Sequence, residues 1–197
     1  MLTQRRQRVE DIVSLELASS LARVPFRFEE SINLSDYDLP KIGLDDSYTS
    51  RRFNIPRGKD TLDFHSSLAK ICKEARHTGK QEKLLSGLYE AFRNAWQHGN
   101  GKNPEKAIEV SYKSTDNDFE VVVSDEGGKI STDFVPFILL HRQGMDKPLS
   151  FYNFSPTAKI LEENSGNGTF VMHMTADEVN YFKNYFGGLS VQLILRK

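Results

Sequence analysis

The sequence has a single cysteine, Cys72, so it can form no internal disulfide, and it has no cysteine spacing that would hold a metal. A reducing, cytoplasmic setting fits that scarcity. A surplus of either charge is also missing: 26 Lys and Arg stand against 27 Asp and Glu, for a net charge of −1. That balance removes the electrostatic case for direct nucleic-acid binding. No apolar run is long enough to span a bilayer. The N-terminal MLTQRRQRVEDIV carries basic residues with no apolar stretch behind them, unlike a signal peptide. There is no repeat of fixed period and no low-complexity tract. What the 197 residues do allow is one well-buried domain plus an appendage.

Residues 5–22 place Val9, Ile12, Val13, Leu17, Ala18 and Leu21 at helical spacing. A mixed, polar stretch follows, read as irregular with one short strand. RFNIP reads as a short edge strand closed by Pro56. KDTLDFHSSLAKICKEARHTG is an amphipathic helix with Gly79 as its C-cap, and a second helix runs from about Gln81 to Gly99. AIEVSYK and DFEVVVSD alternate as a hairpin around STDND. About forty residues without clear periodicity lie between Glu126 and Ser165. SGNGTFVMHMTADEVNYF then reads as a glycine-led helix and a strand, and LSVQLILRK as a closing strand. The expected fold is α+β, a two-layer sandwich of helices on a mixed, largely antiparallel sheet.

The second helix carries an unusual row. At 100° per residue, Leu84, Leu88, Ala91 and Ala95 form the core stripe, with Arg93 and Gln97 expected opposite it in solvent. Glu90, Asn94 and His98 occupy the flank. Each successive member is rotated about 40° toward the stripe, so Glu90 should lie near solvent and His98 near the core. On the helix alone, a solvated flank ending in a satisfied histidine accounts for the row; a cleft wall is the other account.

Two later segments favour the cleft. In VVVSDEGGKI, an apolar strand delivers Asp125 to a glycine turn. A carboxylate there can accept a hydrogen bond from an exocyclic amine, while Gly127 lets a flat ring approach the backbone. In NSGNGTF, Gly166 and Gly168 precede a helix, whose free amides suit phosphate oxygens. Each segment taken singly is an ordinary turn. Their order is the signal: a helix with E-x-x-x-N, a strand ending in D-x-G, a long connection, then G-x-G opening a helix.

That combination resembles the GHKL superfamily of ATP-binding domains, most closely its anti-sigma factor serine kinases. EAFRNAWQHGN resembles the family's N box through Glu90, Asn94, His98 and Gly99. DEGGKI resembles its Asp-x-Gly-x-Gly box, with Lys129 where the family has glycine, and GNGTFVMHMTADEVNY resembles its last box. The likeness covers residues 53–197, and the chain divides into an N-terminal extension (1–50) and an ATP-binding kinase domain (51–197).

The resemblance implies ATP and Mg²⁺ held between the helical layer and a lid within residues 131–165. Asp125 would read the adenine amine and Gly127 give the ring room. Asn94 would bind Mg²⁺ through its side-chain oxygen, which suffices for an ion that keeps waters and phosphate oxygens as its other ligands. Gly166, Gly168 and Thr169 would face the phosphates, and Glu90 would be the general base. His98, Phe92 and Trp96 are assigned to structure. A lysine held in the left-handed region at 129 would cost roughly 1–2 kcal/mol unless Gly128 takes the awkward angle.

Three functions follow. The first is a serine/threonine kinase that phosphorylates a small anti-sigma antagonist-like protein and also binds a sigma factor. The second is a regulatory module that binds nucleotide without phosphotransfer, or has lost it. The third is a histidine kinase catalytic domain, which lacks here an adjoining helix pair with a phospho-acceptor histidine. The apolar stripe from Val9 to Leu21 must be covered by the domain's own flank or by a second copy of the chain.

Overall fold

A computed structural model describes residues 31–33, 40–127, 129–131 and 168–197. Its centre is a five-stranded sheet built from β2 (Thr49–Asn54), β3 (Ala107–Ser114), β4 (Asp118–Ser124), β6 (Glu178–Lys183) and β7 (Leu189–Arg196), in the order β2-β3-β4-β7-β6. Every pairing in it is antiparallel. Among the described residues, the parallel part of the mixed, largely antiparallel sheet expected from sequence is the isolated bridge between Lys41 and Lys183. A separate two-stranded sheet pairs β1 (Ser31–Asn33) with β5 (Lys129–Ser131), antiparallel.

Strand alternation sorts the side chains. Ile108 and Val110 of β3, Phe119, Val121 and Val123 of β4, and Val191, Leu193 and Leu195 of β7 face the helical layer and enter the core. Ser111, Ser124 and Ser190 point to the other face and are buried there, with the hydroxyls of Ser124 and Ser190 2.6 Å apart. The central β4 is covered on both faces, since Val122 is buried as well.

Three helices pack on the core face: α1 (His65–Cys72), α2 (Gln81–Asn94) and α3 (Gly168–Thr175). Asp60 and Asp63 form a capping box at the turn leading into α1, and 3₁₀ turns flank α1 on both sides, so the expected long helix is broken into three pieces. Gly79 closes the last piece at φ 69°, a conformation that favours glycine. Leu84, Leu88 and Ala91 of α2 are buried as their spacing predicts, and Phe92 and Trp96 join the core. Phe92 meets Phe53 of β2 edge to face with ring centroids 5.4 Å apart, a contact worth about 0.5–1.5 kcal/mol beyond its area.

The edge strand is real but starts at Thr49, so the sequence boundary at residue 50 falls within β2. Ile42, before it, is also buried. Lys129 sits in β5 opposite Asn33. Among the described non-glycine residues only Lys102 has positive φ, so the left-handed strain anticipated at 129 does not arise. The Val9–Leu21 stripe, Gly166, Gly128 and the lid residues 132–165 lie outside the described residues.

Candidate functional site

The end of α2 departs from a regular helix. Ala95–Gly99 form a π turn, closed by the Asn100 amide donating to the Ala95 carbonyl at 2.7 Å. A turn closed by i→i+5 bonds winds by less than 100° per residue. His98 therefore does not rotate toward the core; it is exposed, which corrects the expected inward direction. The imidazole pKa is nonetheless lowered, by the atoms crowding the ring and then by the charges of Arg93 and Lys102.

Glu90 departs from expectation in the opposite sense. It is covered rather than near solvent, with 16 % of its side chain exposed, and Arg93 is covered with 23 % exposed. The cause is α3, which lies antiparallel on α2. Gly168 at its start meets Glu90 and Asn94, and Thr175 at its end meets Gly87. Both approaches depend on missing side chains. A Cβ on Gly168 would lie 2.7 Å from Glu90 Oε2 and 3.4 Å from Asn94 Oδ1, and one on Gly87 would lie 2.1 Å from Thr175 Oγ1. Gly168 and Thr169 are thereby brought onto the Glu90–Asn94 row.

This wall is short of hydrogen bonds. Arg93 Nη2 lies 2.8 Å from Glu90 Oε2, close enough for an ion pair but outside hydrogen-bond geometry. Glu90 Oε2, Arg93 Nε, Gln97 Oε1 and Thr169 Oγ1 are all buried without a hydrogen-bond partner. Buried polar atoms are normally paired, so four orphans on two facing helices call for an explanation. Burial raises the pKa of the Glu90 carboxyl, against the opposing pull of Arg93.

Asp125 lies at the end of β4 and is 5 % exposed. Its Oδ1 accepts from the amides of Gly127 at 2.8 Å and Leu189 at 3.2 Å. Burial pushes its pKa up to about 6, although the Gly127 and Leu189 amides and Lys106 pull it down. Three glycines enclose it. A Cβ on Gly99 would come within 2.2 Å of Asp125 Oδ2, and one on Gly188 within 2.0 Å of its backbone oxygen. At Gly127 a Cβ would sit 1.6 Å from the carbonyl oxygen of Gly99, so the close backbone approach that this glycine permits is made here by the end of α2.

Sequence reading missed the residues that lock these parts together. Asn100, 4 % exposed, accepts from the Glu126 amide at 2.8 Å and donates to the Ala107 carbonyl at 2.9 Å, joining the end of α2 to the Asp125 turn. Asn184 donates to the Asp125 carbonyl at 2.8 Å and accepts from the Gly188 amide at 2.9 Å. An asparagine directly after the histidine and glycine of the N box, and N-x-x-x-G before the closing strand, were the available signals. A cavity of about 340 Å³ opens on the other face of the sheet, against Tyr48, Glu109, Ser124, Tyr185 and Phe186. None of the row on α2 lines it.

The donor set fits a nucleotide with its divalent cation. Arg93 Nε and the Thr169 hydroxyl are buried donors that lack acceptors, which phosphate oxygens are. Among the described residues no group of three or more His, Cys, Asp or Glu could hold a metal by itself. An ion placed here would take most of its ligands from phosphate and water, as Mg²⁺ does.

Comparison with known proteins places the chain in a family. No curated protein matches the chain. A family model, the histidine kinase-like ATPase domain, matches residues 66–195, a span that holds α2, the Asp125 turn, α3 and the last two strands. That match covers well over half of the sequence, and the chain belongs to the histidine kinase-like ATPase domain family, an ATP-binding module of the GHKL type.

Proposed function

We propose that this chain is an ATP-dependent serine/threonine protein kinase of the anti-sigma factor type. It would phosphorylate a small antagonist protein and bind a sigma factor as its regulatory partner. One observation carries the reading: Glu90, with its unbonded Oε2 and raised pKa, stands one turn from Asn94 and against the start of α3. A general base works best when its pKa lies closer to the operating pH than an ordinary carboxylate's does.

In the proposed site Asp125 accepts the adenine amine through Oδ2, since Oδ1 is already engaged. Asn94 Oδ1 would face the cation, and Gly168 and Thr169 would face the phosphates; Gly127 is taken up by the end of α2 rather than by the ring, and Gly166 lies outside the described residues. Mg²⁺ would supply neutralisation of the phosphate charge. Glu90 Oε2 takes the proton of the partner's serine or threonine hydroxyl. The deprotonated serine or threonine oxygen forms the bond to the γ-phosphorus, and the bond from that phosphorus to the bridging oxygen breaks with its electron pair leaving on ADP. The packing of α3 on α2 brings the backbone of Gly168 against Glu90, so the base and the start of α3 share one place.

A second reading has an observation of its own. Arg93 is paired with Glu90, and a base held by a cation suits a module that binds nucleotide and regulates a partner without phosphotransfer. The Glu90→Gln variant decides between them. With a phosphorylatable partner present, it should retain ATP and lose phosphotransfer by about 10²–10⁴-fold. Phosphotransfer at the wild-type rate would remove Glu90 from the base role.

A further inference from the structure

Arg93 lies inside the N-box segment but is not one of the residues to which the family reading gives a role. Sequence periodicity places it in solvent; the structure places its guanidinium 2.8 Å from Glu90 Oε2 and buries its Nε without a partner. A guanidinium and a carboxylate that belong together form two parallel hydrogen bonds. This pair forms none with good geometry, so Arg93 is held near Glu90 by charge alone. On α3, next to the Gly168 that meets Glu90 and Asn94, the Thr169 hydroxyl, on a residue 5 % exposed, is a second donor with nothing to donate to. Gln97 Oε1, one turn further along, and Glu90 Oε2 are acceptors with nothing to accept. Two donors that lack oxygen acceptors and two acceptors that lack a hydrogen donor are what a terminal phosphate beside a hydroxyl or a water would complete.

We propose that Arg93 is the cation for the terminal phosphate of ATP: without phosphate it rests on Glu90, and with ATP bound its guanidinium leaves the carboxylate for the γ-phosphate oxygens, freeing the base. This rests on the nucleotide reading of the site. It gives the chain a device by which the base is exposed only when a transferable group is present. Thr169 donates to the same phosphate from the opposite helix. Gln97 accepts from the incoming hydroxyl or from an ordered water.

The test compares Mg-ATP with Mg-ADP, which differ by the group Arg93 is assigned to. Both are titrated calorimetrically into the full chain, wild type and Arg93→Gln, a change that removes the charge and keeps a polar side chain with the first two methylenes of the stem. The expected result is a wild-type preference for ATP that Arg93→Gln lowers by about ten- to a hundred-fold, with ADP affinity within about two-fold of wild type. Retained ADP binding also reports that the variant is folded. Should Arg93→Gln fail to fold, Arg93→Met carries the same expectation. An unchanged ratio of ATP to ADP affinity in a folded variant overturns the proposal and leaves Arg93 as a structural partner of Glu90. If the wild type binds neither nucleotide, the nucleotide reading itself falls, and this inference with it.

Discussion

The two parts of the proposed nucleotide site are built on opposite principles. Around Asp125 nearly everything is satisfied: Oδ1 takes two amides, Asn100 and Asn184 stitch the neighbouring loops, and three glycines let backbone close in on the carboxylate. On the wall made by α2 and α3, four buried polar atoms have no partner, and the one ion pair is poorly aligned. The first region is complete without a ligand. The second leaves polar atoms unpaired. On the proposed reading, the preorganised floor would fix which base is read, and the unsatisfied wall would gain on pairing with phosphate, because each orphan costs about 1–3 kcal/mol until it is paired.

Alanine at a glycine of each part breaks the comparison most sharply. At Gly127 a Cβ would strike the Gly99 carbonyl, which is backbone and cannot step aside. Gly127→Ala should destabilise the fold by about 3 kcal/mol or more, a fall in melting temperature of roughly 6–12 °C. At Gly168 the obstacle is the end of the Glu90 side chain, which can swing away. Gly168→Ala should stay within about 1 kcal/mol of wild type yet weaken Mg-ATP. Equal melting temperatures for the two variants would erase the distinction between a rigid floor and a yielding wall.

Titration of Asp125 comes next. Its pKa is raised in the fold, from an ordinary carboxylate value to about 6. The folded state thus holds the proton more tightly than the unfolded chain does. The stabilising contribution is complete below about pH 4 and is lost as pH rises through about 6, by at most about 3 kcal/mol. Thermal melts of the nucleotide-free protein should show that decline, and Asp125→Asn should flatten it. Nucleotide binding runs the other way, since the adenine amine prefers the ionised carboxylate. Mg-ATP affinity should climb from pH 5 to 7 in the wild type more steeply than in the variant. A pH profile of stability identical in both proteins would mean that Asp125 is not the group titrating.

The smallest effect sharpens the account of the wall. Thr169→Val keeps the side-chain shape and deletes an unpartnered hydroxyl. The nucleotide-free protein should gain about 1 kcal/mol in denaturant unfolding, while its affinity for Mg-ATP falls. A loss of stability instead would show that the hydroxyl has a partner in the absence of nucleotide.

Much of this was legible in the sequence because it rests on period and punctuation. The Leu84–Ala95 stripe, the β3–β4 hairpin and the glycine-led α3 follow from spacing that a single chain displays. The row of Glu90 and Asn94 could likewise be read, since both lie within one regular helix. What failed was what spacing cannot carry. The orientation of His98 depends on a π turn, which changes the angle per residue only where the helix ends. The covering of Glu90 depends on α3, a helix more than seventy residues later in the chain that approaches through Gly168. Asn100 and Asn184 bridge segments remote in sequence, so their importance is set by tertiary contact alone. Left-handed strain was anticipated at Lys129 from a family pattern, unless Gly128 absorbed it, whereas pairing with Asn33 gives Lys129 strand backbone.

The central claim is that Asp125 reads adenine at the floor of a nucleotide cleft. Isothermal titration of Mg-ATP into the wild type and Asp125→Asn, at one pH above 7, tests it most directly. The account predicts measurable binding by the wild type and a ten- to a hundred-fold weaker affinity in the variant, the cost of a lost charge-assisted hydrogen bond of about 1.5–3 kcal/mol. Equal affinities in the two folded proteins, or no binding by the wild type at millimolar nucleotide, would contradict it.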